Sequence, residues 1–402
     1  MPAAAEAHVP DAVAPPPRHP RFPQADGLRA VAVLCVVGVH ALNAMGIDGS
    51  VGGRLALHLN VGVTIFFLLS GFLLYRPFIA HRNEGARAPK TVDYLRRRAL
   101  RILPAYWLVV IAVILLPGIT ATSDDRWIQQ FTLVFSLFSD GGWACTECGL
   151  TQTWSLVVEL TFYLALPLYA LLAGRLLDGR PRRVWVSADL AALAALSLAS
   201  LWIQFVRYDG VPPTWIGGSL LSFGLWFALG MGLAVASVAL RGGDGRPLRP
   251  LGARGAAACW IAAIALYVVV ALSLPVTFVL VDVSEQLTAF LAFAAISLLL
   301  LAPAVLGPDG RGAVARFLTW RPVAWVGLIS YGVFLWHIVV IRKLLTLDVG
   351  WSSITLLLAT IAVTIPIAAL SYYAVERPLL RFKYRRAEGG GRASSRPAGR
   401  AA

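Results

Sequence analysis

The sequence predicts an all-α membrane protein, a polytopic bundle of about ten transmembrane helices with both termini cytoplasmic. Three observations carry this. Over 402 residues the chain is 58% hydrophobic and 14% charged, with mean hydropathy +0.72, whereas soluble domains average about 25% charged residues. Ten apolar stretches recur along it, each near the length a helix needs to cross a bilayer core of roughly 30 Å. Of the 35 Lys and Arg residues, 30 fall in alternate connecting segments, as expected of cytoplasmic loops. The net charge of +14 therefore marks topology, and nucleic acid is not an expected partner.

In chain order, residues 1–20 are rich in Ala and Pro and read as a disordered tail. A cleaved signal peptide fits poorly, because the apolar stretch starts late and carries His40. A membrane domain is expected over residues 21–385. Its first span begins near Gly27, and the others lie at about 56–79, 102–118, 152–173, 184–206, 217–240, 255–274, 285–306, 323–345 and 352–375. The cytoplasmic set of basic residues includes Arg29, Arg96, Arg97, Arg98 and Arg101, and the opposite set holds only Arg54, Arg126, Arg207, Arg342 and Lys343. Within the longest outer loop, Trp127 to Phe138 is too short to span and is expected to lie at the interface or re-enter the protein. Residues 386–402 read as a disordered basic tail near anionic head groups, with no soluble domain expected after the membrane part. Lys occurs only at positions 90, 343 and 383, an Arg bias that points to a GC-rich bacterial genome. Four cysteines make no disulfide framework; Cys145 and Cys148 favour a local outer-loop disulfide over zinc, and Cys35 and Cys259 read as packing residues.

The stretch that carries most chemistry is the first span. Arg29 and His40 are eleven residues apart, three turns plus about 20°, so they share one helix face roughly 16 Å apart along the axis. Asp26, three residues before Arg29, shares that face. An ionisable residue inside a membrane helix is costly and marks a functional site by default. Glu159 in the fourth span and His337 in the ninth reach a depth similar to that of His40. A carboxylate beside an imidazole would raise its basicity, although a polar pair can also serve only to join helices. At the cytoplasmic side, Arg98 and Arg101 face one way ahead of Pro104, which suits the first turn of a helix. Two guanidinium groups at a helix amino terminus form a ready phosphate site. Arg96 and Arg97 read as topology signals. Ser70 and Gly71 are small residues that allow close approach within the second span.

These stretches in order resemble the acyltransferase-3 family of integral membrane acyltransferases, over about residues 20–385. The matching residues are Asp26, Arg29 and His40, then FFLLSGFLL at 66–74 and Arg98 to Tyr106. WSLVVELTFY at 154–163, SYGVFLWH at 330–337 and Glu376-Arg377-Pro378 follow. The resemblance implies a plasma-membrane enzyme that moves an acyl group, usually acetyl, from cytoplasmic acyl-coenzyme A to a hydroxyl on a glycan or glycosylated small molecule. It implies His40 as catalytic base, with Arg29, Arg98 and Arg101 holding the donor; an acyl-histidine intermediate stays open beside the base role. Within the same motifs Asp26, Ser70, Tyr106, Trp154, Ser155, Tyr331 and His337 are expected to contact substrate. Glu159 is expected to hold or polarise an imidazole, on depth alone. The pantetheine arm is expected to thread along the first helix toward His40. No metal and no tightly bound cofactor is expected. The rival reading is a proton-coupled secondary transporter or flippase with His40, Glu159 and His337 as a relay. It leaves Arg98 and Arg101 without a role, and no internal repeat or paired broken helices support it.

Overall fold

The computed structural model describes residues 22–46, 49–84, 89–116, 130–133, 150–208, 218–240, 251–277, 282–307 and 312–381. The two expected tails, most of the Trp127–Phe138 segment, and Cys145 and Cys148 lie outside these residues. Among the described residues every regular element is helical. Each of the ten apolar stretches contains a helix, and eight are long and apolar enough to cross a bilayer.

The first three long helices are α1 (Gln24–Asn43), α3 (Val61–Glu84), reached through the short α2 (Val51–Leu57), and α4 (Thr91–Leu115). They are followed by α5 (Trp154–Leu177), α6 (Arg182–Tyr208), α7 (Gly224–Ala239), α8 (Ala253–Ser273) and α9 (Val283–Leu306). After the short α10 (Ala313–Thr319), α11 (Arg321–Leu328) and α12 (Ser330–Leu345) form one apolar unit bent by 71°. Then α13 (Ser353–Ser371) runs through a π turn at Tyr372–Glu376 into α14 (Arg377–Arg381). Helix α7, the one element of its apolar stretch among the described residues, has 16 residues, about 24 Å of rise. It is buried along most of its length, so protein rather than lipid surrounds it.

The helix starts follow local capping chemistry. Asp282 accepts from the backbone N–H groups of Ser284 and Glu285, which satisfies two orphan donors of α9. Those bonds, with one from the Ser284 hydroxyl, hold its carboxyl below the usual range. Ser352 and Thr355 form a reciprocal capping box on α13.

One expectation is corrected here. The helix carrying Arg98 and Arg101 starts at Thr91, so both arginines lie two to three turns inside α4 and Pro104 sits in its interior. The apolar boundary is not the helix boundary, because Arg and Leu are good helix formers and Asp93 suits the first turn. The amino-terminal dipole therefore adds little at these two arginines.

Packing centres on α1 and α3. A Cβ at Gly71 would overlap the Phe227 carbonyl, and one at Gly230 would overlap the Leu68 carbonyl, so α3 and α7 touch backbone to backbone. Around that contact Phe67 and Phe162 both stack on Phe227, at 4.6 and 4.2 Å. At the basic end of the bundle, Gly27 packs on the Leu318 backbone and Gly327 on the Asp26 backbone. Helices α10 and α11 thus close over the start of α1. A buried network sits nearby: Arg82 pairs with Asp189 at 2.8 Å, their side chains 3% and 1% exposed. Tyr75 and Tyr169 both donate to the same carboxylate, at 2.9 and 3.1 Å. Leu198, Trp202, Ile261, Ile264, Ile354 and Leu358 face outward from α6, α8 and α13, where an apolar surface suits lipid.

Candidate functional site

A cavity opens between α1, α3, α4, α5 and α12. Arg29, Arg98 and Arg101 line it, together with Ser70, Ser155, Glu159, Tyr163, Ser330 and Tyr331. Arg29 is anchored by Asp26 at 2.7 Å, one turn away on α1. Arg98 lies over the rings of Tyr94 and Tyr163, at 5.7 Å from each. Its Nε is buried without a hydrogen-bond partner. Among the described residues neither Arg98 nor Arg101 has a carboxylate within ion-pair distance. Three guanidinium groups and one carboxylate, Glu159, line the cavity, while Asp26 pairs with Arg29 and the buried Glu376 stands within electrostatic reach of Arg101. Arg98, with no carboxylate at ion-pair distance among the described residues, suits an anionic ligand.

Glu159 does not reach an imidazole. Its carboxylate accepts hydrogen bonds from the Ser70 hydroxyl and, at 2.6 Å, from the Tyr163 hydroxyl. Ser70 lies eight residues, about 12 Å, further along α3 than Gly62, which packs beside residues 32–36 of α1, so Glu159 sits toward the Arg29 end and not at the expected depth of His40. Tyr331 lines the cavity and donates to the Ile102 carbonyl at 2.9 Å. Ser155 lines it too and donates to the Gln152 carbonyl. Tyr106 and Trp154 do not line it. Tyr106 comes five residues after Arg101, about 140° around the helix, and donates to the Gln130 carbonyl at 2.7 Å. Trp154 packs its ring against Phe223 and Phe67.

At the opposite end of α1, His40 meets His337 of α12, with His337 Nε2 3.3 Å from His40 Nδ1. His40 Nδ1 also lies 2.8 Å from the Val36 carbonyl, and His337 Nδ1 lies 3.2 Å from the Val333 carbonyl. Carbonyls only accept, so these partners assign the proton to Nδ1 on both rings. His337 Nε2 then faces the same His40 Nδ1–H from 3.3 Å, and among the described residues His40 Nε2 has no hydrogen-bond partner. His337 is fully buried while His40 is half-buried. The accessible ring is the one with the free lone pair, and the buried ring orients it.

The two halves are separated. On the face joining Arg29 to His40, Val33 and Val36 are buried at 0% and 1%, so no open path follows α1. The expected threading along the first helix is corrected on this point. Instead the cavity runs along α3 and α5, past Ser70 to Val63 and past Glu159 to Ser155. Its outer end is level with residues 32–36 of α1, because Gly62 packs against Ala32, Cys35 and Val36. That is four to eight residues, about 6–12 Å of rise, short of His40. Phe334 lines the cavity and lies 6.1 Å, ring to ring, from His337.

Sequence reasoning gave no role to Tyr163, Ser330, Gln152 or Phe334. Tyr163 was open to detection, since it stands four residues after Glu159 on one helix face. The other three depend on tertiary contacts.

A family model described as an acyltransferase domain matches residues 22–373. Among curated proteins, the chain is similar to the putative peptidoglycan O-acetyltransferase YrhL of Bacillus subtilis. The two are 26% identical over 381 residues, which is 90% of this chain and 55% of that protein. It is also similar to the peptidoglycan O-acetyltransferase OatA of Listeria monocytogenes, 24% identical over 379 residues, 89% of this chain and 55% of that one. The O-acetyltransferase OatA of Staphylococcus aureus is 24% identical over 385 residues, covering 90% and 57%. The chain thus spans about half the length of the curated relatives it matches. No solved structure matches it.

Proposed function

The chain belongs to the acyltransferase-domain family whose model covers residues 22–373, and from that premise we propose a membrane O-acyltransferase acting across the bilayer. The donor is cytoplasmic acyl-coenzyme A, acetyl in the first instance. The acceptor is a hydroxyl on an envelope glycan, in keeping with relatives named for peptidoglycan O-acetylation. The membrane is the bacterial plasma membrane.

The observation that carries this reading is one cavity lined by Arg29, Arg98 and Arg101 whose outer end stops beside an oriented imidazole pair. The donor phosphates dock on the three arginines, and the pantetheine arm extends past Ser70 and Glu159 toward Val63 and Ser155. His40 Nε2 takes the proton of the acceptor hydroxyl as its oxygen attacks the thioester carbonyl. The tetrahedral intermediate collapses, the C–S bond breaks, and the His40 imidazolium returns the proton to the departing thiolate. The histidine can instead carry the acyl group between two half-reactions. Either route leaves the donor on the basic side and the product on the other.

The test is turnover by the full chain in lipid nanodiscs, with labelled acetyl-coenzyme A and soluble peptidoglycan fragments. Acetylated glycan and free coenzyme A in equal amounts support the proposal. Absence of donor cleavage with any glycan acceptor, alongside proton-coupled uptake in vesicles, would favour a transporter.

A further inference from the structure

We propose that Phe334, backed by Phe66, sets the length of the acyl group that the enzyme delivers, by closing the outer end of the donor cavity beside the imidazole pair. This rests on the acyl-coenzyme A reading above and adds to it a residue that discriminates among donors.

The geometry is specific. Phe334 is half-buried, lines the cavity and stands one turn of α12 before His337. Its ring is 6.1 Å from the His337 ring. Phe66 lines the same cavity from α3 and packs, like Phe334, against the cluster holding Val33 and Val37. Phe334 thus stands between the cavity and His337, and Phe66 forms part of the cavity wall from α3 within the same apolar cluster. The phosphates are held some turns away by the arginines, so the arm brings the thioester to the outer end in a fixed register. The acyl group is the last part of the donor, and it alone meets Phe334.

The turn that carries Phe334 is also fastened. Gln152, 2% exposed, donates from Nε2 to the Leu335 carbonyl at 3.0 Å and the Phe334 carbonyl at 3.5 Å. The backbone is therefore tied to the start of α5, and the room beside His337 changes through ring rotation rather than helix displacement. An acetyl group fits where the ring leaves space. Each added methylene must push the ring into the apolar cluster around Val33 and Val37, where close packing resists it.

The experiment compares kcat/KM for acetyl-, butyryl- and hexanoyl-coenzyme A, with soluble peptidoglycan fragments as acceptor and the full chain in nanodiscs. Wild type is expected to prefer acetyl. Phe334→Ala should raise the hexanoyl-to-acetyl ratio by at least about tenfold, since a single methylene in a tight apolar pocket changes specificity by roughly 10- to 200-fold. Phe334→Leu should fall between the two, and Phe66→Ala should move the ratio the same way. Should Phe334→Ala fail to accumulate, the Leu variant and Phe66→Ala give the same reading. Variants that transfer acetyl with an unmoved ratio overturn the proposal and leave the acyl-coenzyme A donor standing. A wild type that cleaves none of the three donors overturns the donor reading, and this proposal with it.

Discussion

His337 places its Nε2 3.3 Å from Nδ1 of His40, joining α12 to α1 through two imidazoles that each also hydrogen-bond a backbone carbonyl of their own helix. His337 is wholly buried, so its effect on substrate passes through His40. His337→Ala should lower kcat by about 100-fold, the lower end of what a well-positioned base contributes. Donor KM should hold, because the arginine cavity is untouched. A fall in kcat together with a comparable rise in donor KM would contradict a positioning role.

Arg98 and Arg101 have no carboxylate within ion-pair distance among the described residues. Hydrogen bonds to charged groups are worth about 1.5–3 kcal/mol each. The double substitution Arg98→Ala with Arg101→Ala should therefore raise donor KM by more than about 100-fold while the folded protein persists. Because these contacts are largely enclosed, salt should raise the wild-type KM only modestly. An unchanged donor affinity would remove the phosphate site.

Glu159 accepts from both Ser70 and Tyr163, which makes it the acceptor that satisfies two hydroxyls at the cavity wall. Glu159→Gln keeps one acceptor oxygen and should be tolerated in thermal stability. Glu159→Ala strands both hydroxyls, at about 1–3 kcal/mol for each buried unsatisfied group, and should lower the melting temperature by several degrees. Equal melting temperatures for the two variants, read in nanodiscs, would show that these bonds carry no weight.

The Arg82–Asp189 pair, 2.8 Å apart with side chains 3% and 1% exposed, lies outside the cavity lining. Removing Asp189 leaves Arg82 with its exposed second partner, Asp178 at 3.1 Å, and strands the Tyr75 and Tyr169 hydroxyls, at about 1–3 kcal/mol for each buried unsatisfied group. Asp189→Ala should therefore reduce thermal stability sharply, and the fraction that remains folded should show the wild-type donor KM. A stable variant with a changed KM would place this network in the site.

Much of this was readable before any coordinates. The helical membrane class followed from composition, and the ten apolar stretches each hold a helix because length and hydropathy are local properties. The shared face of Arg29 and His40 follows from helix geometry alone. What failed to show was direction around a helix and partner choice. The sequence places Glu159 at the depth of His40 and His337, yet its carboxylate sits beside Ser70 and Tyr163, toward the Arg29 end of the cavity. Tyr106 and Trp154 belong to motif stretches but pack into the core. The start of α4 at Thr91 was hidden because charged residues can be helical well outside an apolar run. The closure of α1's own face by Val33 and Val36 depends on neighbours distant in sequence.

The most direct measurement is single-turnover cleavage of labelled acetyl-coenzyme A in nanodiscs, comparing wild type with His40→Ala, with donor binding measured on the same samples. The account requires that the variant bind donor with wild-type affinity and transfer acetyl to glycan at least about 100-fold more slowly. Transfer at the wild-type rate by a folded His40→Ala protein would contradict it outright.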